Sequence, residues 1–83
     1  MTDRAEVLAL LRRELRAVNP SVPGDLAPDV ELVADLGLDS LDVVEFVARV
    51  EEAYRFSVPD ADWPHLSTLD HITTYVLASL PDR

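Results

Sequence analysis

Asp39-Ser40-Leu41-Asp42-Val43-Val44-Glu45-Phe46-Val47-Ala48-Arg49-Val50-Glu51-Glu52-Ala53-Tyr54 is the stretch that decides the fold. Val43, Phe46, Val47, Val50 and Tyr54 recur at three- and four-residue steps, which places them on one face of a helix running from Ser40 to about Phe56. Asp42, Glu45, Arg49 and Glu52 form a second stripe turned to solvent. Leu41, Val44 and Ala48 lie beside that stripe, so the helix carries more apolar surface than one core contact requires. Arg49 follows Glu45 by four residues, the spacing of a simple intrahelical ion pair.

Working outward, Val7, Leu8, Leu11, Leu15 and Val18 mark an earlier helix from Asp3 to about Val18. Asp3 and Glu6 have capping-box spacing, and Asn19-Pro20 stops the helix. Arg12, Arg13 and Arg16 fall on its solvated side. Between the two helices lie Pro20, Pro23, Gly24, Pro28 and Gly37, which exclude a continuous regular element. Leu26, Val30, Leu32, Val33, Leu36 and Leu38 in the same segment predict an ordered loop pinned to the core, and a loop of that length is often functional.

Val58-Pro59 ends the middle helix. The following Asp60-Ala61-Asp62-Trp63-Pro64-His65-Leu66 permits a short turn or two, because Pro64 lacks a backbone donor. Ser67 or Thr68 caps a last helix that buries Leu69, Ile72, Val76 and Leu80 and closes at Pro81. No segment alternates like a strand. The expectation is an all-α bundle of three main helices and one short one.

Eighty-three residues make a single domain, 1–83, too small for a deep substrate cavity beside a core. There is no cysteine and only His65 and His71, so neither a disulfide frame nor a zinc centre is expected. The net charge is −9 and uneven: residues 25–62 hold eleven acids and two arginines, whereas residues 1–24 hold three acids and four arginines. Nucleic acid and anionic membranes are disfavoured partners, and basic protein surfaces are favoured. Met1-Thr2-Asp3-Arg4 opens into charged sequence, and no apolar run reaches the roughly 20 residues of a membrane span. A cytoplasmic protein, monomeric by itself, is the expectation.

Ser40 opens the middle helix, where free N–H groups and the helix dipole favour an attached anion. Alone, Asp39-Ser40-Leu41 reads as an ordinary N-cap. The wider run Asp35-Leu36-Gly37-Leu38-Asp39-Ser40-Leu41-Asp42 resembles the attachment site of acyl carrier proteins. The resemblance continues through Val43-Val44-Glu45-Phe46-Val47, Glu51-Glu52-Ala53-Tyr54, Val58-Pro59-Asp60 and Leu66-Ser67-Thr68-Leu69.

This resemblance implies a non-catalytic carrier with a four-helix acyl-carrier-like bundle and a long ordered loop between helices one and two. Ser40 would receive 4′-phosphopantetheine from coenzyme A through a separate phosphopantetheinyl transferase, and the arm's thiol would hold acyl groups as thioesters. Asp39 and Asp42 would meet the transferase. Asp42, Glu45, Glu51 and Glu52, with Arg49 interrupting them, would form an acidic surface for basic patches on an acyltransferase, acyl ligase or ketosynthase. Leu41, Val44 and Ala48 would be its apolar centre. Arg49, Arg55 and Trp63-Pro64 depart from the family pattern and point to a specialised polyketide or hybrid pathway; fatty-acid synthesis and aminoacyl or peptidyl carriage are the alternatives. Two further readings are a Ser40–histidine hydrolase, disfavoured because the second glycine of a nucleophile elbow is missing, and an acidic adaptor in which Ser40 is only a cap.

Overall fold

The computed structural model describes residues 3–80, and its order is α1 (Arg4–Val18), α2 (Ser40–Tyr54), a 3-10 helix (Asp60–His65) and α3 (Leu69–Ser79). Local chemistry sets each start. Asp3 accepts from the Glu6 amide at 2.9 Å while Glu6 accepts from the Asp3 amide at 3.3 Å, completing the capping box. Asp39 accepts from the Asp42 amide at 2.8 Å, and Thr68 accepts from the His71 amide at 3.1 Å. Asn19 closes α1.

Val7, Leu11, Leu15, Phe46, Val50, Leu69, Ile72 and Val76 bury the facing sides of the three α-helices in one core. Thr73, absent from the expected face, is fully buried in α3; its hydroxyl donates to the Leu69 carbonyl at 2.7 Å, which removes the cost of burying it.

The long loop is built into this core. Val22, Leu26, Leu32 and Leu38 are buried, with Val30 and Leu36 packed against them. Two backbone bonds clamp the loop to the start of α3: Leu32 N–H to Ser67 O and Asp70 N–H to Pro28 O, both 2.9 Å. Arg12 adds a third tie, donating through Nε to the Leu26 carbonyl at 2.9 Å, so it is not simply a solvated residue. Val33 corrects the sequence reading: it is 59% exposed and does not pin the loop. The tight coil over 31–37 turns it outward, with the Gly37 amide donating to Val33 O at 3.0 Å.

Helix α2 ends at Tyr54, two residues short of the expected Phe56. Arg55 adopts a left-handed conformation (φ 57°), which sends Phe56 toward Tyr75, ring centroids 6.1 Å apart. The segment around Trp63-Pro64 is a 3-10 helix, a form found in short pieces, with Pro64 inside it. Pro81, expected to close α3, lies outside the described residues.

Candidate functional site

Ser40 is the first residue of α2 and is exposed. Gly37, at φ +75°, makes the turn that carries the chain from the loop into Asp39; this conformation strains any residue with a Cβ. Leu38 is buried beneath, its amide bonded to Leu32 O at 3.2 Å, so the residues before the serine are anchored. The first-turn amides of Ser40 and Leu41 have no partner within the helix by position, and the positive end of the helix dipole meets the serine oxygen. An exposed hydroxyl at such a place fits a phosphodiester link.

Ser40 also lines a groove of about 290 Å³ with Val33, Leu38, Val43, Val44 and Trp63. Trp63 is fixed by its indole N–H, which donates to the Val58 carbonyl at 3.2 Å. Neither Val33 nor Trp63 was assigned to the Ser40 site from the sequence. Trp63, a lone aromatic in a polar, turn-rich stretch, reads from the sequence as the cover of a cargo channel, a core residue or a surface anchor, whereas Val33 sits in an apolar run and reads as core.

The residues expected to meet partners divide into two groups. Leu41 is 76% exposed and Val44 47% exposed, while Ala48, Glu45 and Glu52 are also open to solvent. Asp42 is half-buried in the first turn. These residues share one side of α2. Three others have tasks inside the molecule. Asp39 spends a carboxylate oxygen on the cap. Glu51 turns back to accept from the Val58 amide at 2.7 Å, holding the exit from α2. Arg49 reaches across to α1, where Nε meets Glu14 Oε1 at 2.7 Å, and does not pair with Glu45. The partner is distant in sequence but presents a half-buried carboxylate, a stronger attraction than an exposed one four residues away.

Neither histidine approaches Ser40. His65 and His71 line a separate groove with Tyr75 and Ala78, and His71 Nδ1 lies 3.1 Å from Ser67 Oγ. No Ser–His pair is assembled at Ser40, and among the described residues no group of three His, Cys, Asp or Glu side chains is placed to hold a metal. No described helix is long and apolar enough to cross a membrane. The Tyr75 hydroxyl donates to Asp62 Oδ2 at 2.8 Å, bolting the 3-10 helix to α3; this hydrogen bond, then desolvation, raises the phenol's pKa above 10.0.

The model of the phosphopantetheine attachment site family matches residues 5–76. This chain belongs to the acyl carrier protein family. Relatives include the meromycolate extension acyl carrier protein of Mycolicibacterium aurum, 31% identical over 89% of this chain and 76% of that protein. The Mycobacterium leprae protein of the same name is 31% identical over 86% of this chain, which spans 62% of that relative's length. A solution structure described as an acyl carrier protein from Anaplasma phagocytophilum superposes with a TM-score of 0.85 over 100% of this chain and 98% of the other at 24% identity, establishing the shared fold. Acyl carrier family proteins bear covalent 4′-phosphopantetheine and are carriers, not catalysts. The acyl carrier fold here is all-helical, with a long ordered loop and a short third helix, as the sequence predicts.

Proposed function

We propose that Ser40 is the attachment serine and that residues 1–83 form one carrier domain, a monomer in the cytoplasm, serving acyl-group assembly. The observation that carries this reading is an exposed serine at the first position of α2, within the matched family region and on an anchored turn. In the transferase's site, Ser40 Oγ attacks the pyrophosphate of coenzyme A. An Oγ–P bond forms, the P–O bond to the nucleotide breaks, and the serine proton leaves. The bound arm supplies a terminal thiol that holds acyl groups as thioesters. This chain's own residues position that arm: the α2 amides face the phosphodiester, and Leu38 and Gly37 keep its root fixed.

Partner recognition rests on Asp42, Glu45 and Glu52 around Leu41, Val44 and Ala48. A partner such as an acyltransferase, acyl ligase or ketosynthase presenting basic side chains around a small apolar patch fits this surface. Charges at its rim accelerate encounter and weaken with salt, which suits a carrier that must leave each enzyme quickly.

The finer reading is a specialised polyketide or related pathway. Trp63 beside Ser40 supports it. Arg49 is engaged with Glu14 and still exposed, so it remains at the edge of the partner surface. The names of the mycobacterial relatives favour a second reading, carriage of a lipid chain under extension. Intact-mass analysis of protein from its native producer separates the two by the acyl group found. Incubation with coenzyme A, Mg²⁺ and a broad transferase should add one arm, absent in Ser40→Ala; no addition to folded protein would refute the assignment.

A further inference from the structure

Four of the seven arginines lie in residues 1–24, on a chain that carries sixteen acids. Three of them, Arg12, Arg13 and Arg16, line one groove of about 340 Å³ with Ala9 and Gly24. No acid lines it; Asp25 follows Gly24 in the chain but is not part of the wall. Acids are abundant enough to neutralise every arginine, yet these three are left nearly free. Among the described residues neither Arg12 nor Arg16 forms an ion pair, and Arg13 reaches only Glu14, at 3.8 Å. Glu14 is held more closely by Arg49, at 2.7 Å.

Two of the guanidinium groups are fixed in advance. Arg12 donates through Nε to the Leu26 carbonyl at 2.9 Å, which leaves its terminal N–H groups for another acceptor. Arg16 lies against the loop: a Cβ on Gly24 would stand 3.4 Å from its Nη1. Such fixing lowers the entropy lost on binding. A cation in the last turn of α1 also suits the helix dipole, but that explains Arg16 and not Arg13 beside it.

The groove selects among anions. The amides of residues 9–16 are used inside α1, so the converging backbone N–H groups of a phosphate cradle are missing from this wall. Arg12 to Arg16 span about 6 Å of helix. A long polyanion would run off this patch onto a chain whose net charge is −9, whereas a short cluster of carboxylates would not. We propose that this groove docks a short acidic segment of a partner protein, whose Asp or Glu carboxylates pair with Arg12, Arg13 and Arg16. The site is separate from the α2 surface. Glu14 turns to α2, while Arg12 and Arg16 lean on the loop. Arg49, level with Glu14, lies about 14 Å along α2 from Ser40. The protein is thereby held through α1 while α2 and Ser40 stay open to an enzyme.

The probe is an acetylated, amidated Glu-Glu-Gly-Glu-Glu peptide, titrated into isotope-labelled protein at about 0.1 M salt and read by NMR through the arginine Nε–H signals. The Arg13 and Arg16 signals should shift saturably. Arg13→Gln combined with Arg16→Gln, with the fold checked by circular dichroism, should weaken binding about ten-fold, the size expected for two exposed ion pairs. Arg12 is left in place because it ties down the loop. Glu45→Gln combined with Glu52→Gln should leave peptide binding undiminished. Absence of a saturable shift at these arginines overturns the proposal. Inorganic phosphate that moves the same signals at lower concentration than the peptide overturns it in favour of a small-anion site. Concentration-dependent dimerisation lost in the double arginine variant overturns it in favour of a second copy of this chain. Transferase loading of Ser40 should run at an unchanged rate with the peptide bound, and slowing that tracks occupancy refutes the separate surface. Peptide binding without any gain of the arm at Ser40 defeats the carrier reading and leaves the groove assignment standing.

Discussion

Replacing Arg49 with alanine separates a structural role from a docking role. Arg49 Nε and Glu14 Oε1 are 2.7 Å apart, with side chains 43% and 18% exposed. Exposed ion pairs contribute about 0.2–1 kcal/mol, and hydrogen bonds to charged groups about 1.5–3 kcal/mol. With one partner shielded and the other open, the coupling should fall near 1 kcal/mol after allowance for solvent screening. Arg49→Ala leaves Glu14 with Arg13 at 3.8 Å as a remaining cationic neighbour, so the single substitution should cost little beyond the coupling. In a domain this small, about 1 kcal/mol lowers Tm by about 4–8 °C. Urea unfolding of wild type, Arg49→Ala, Glu14→Ala and the double variant gives the coupling directly. Raising salt to about 1 M shortens the Debye length to about 3 Å, yet a direct contact should keep more than half of its coupling. A coupling below about 0.3 kcal/mol would refute the interhelical tie and return Arg49 to the partner surface.

Gly37→Ala should cost about 1–2 kcal/mol through its positive φ alone, because a Cβ there meets no atom within 4 Å; an unchanged melting temperature would count against this. Arg55→Gly, at φ 57°, should raise stability by about 0.5–1 kcal/mol, read by urea midpoint, and a loss would contradict the cap geometry. Tyr75 ionisation breaks its bond to Asp62. Because the folded pKa is raised, the bond's contribution is fully present below the ordinary tyrosine value of 10.0 and is lost as pH rises through the raised value. Tyrosinate absorbance should show this late titration, and Tyr75→Phe should remove the associated fall in stability.

What the sequence discloses follows the range of the interaction. Asp3 with Glu6, Asp39 before Ser40, and Thr68 before Leu69 are local signals, and each marks its helix start. The α2 faces are legible for the same reason, since helical period alone separates Phe46 and Val50 from Leu41 and Val44. Long-range pairings leave no comparable trace. Arg49 has a plausible neighbour at Glu45 and an actual partner on another helix. Glu51 reads as surface acid until the chain reversal brings the Val58 amide to it. Val33 has the composition of a core residue, but the coil set by Gly37 turns it toward Ser40. Trp63 could face inward or outward by pattern, and its bond to Val58 decides the matter.

The clamp between the loop and α3 has a mechanical consequence. A partner enzyme that grips the far end of a tether pulls on its root. From Ser40 that load passes to Leu38, buried and bonded to Leu32, and from Leu32 to the Ser67 carbonyl at the start of α3. The force is spread into the bundle before it can peel the loop away. Ser40 thus serves as a stationary pivot, and the reach of whatever swings from it is measured from a fixed point on the protein.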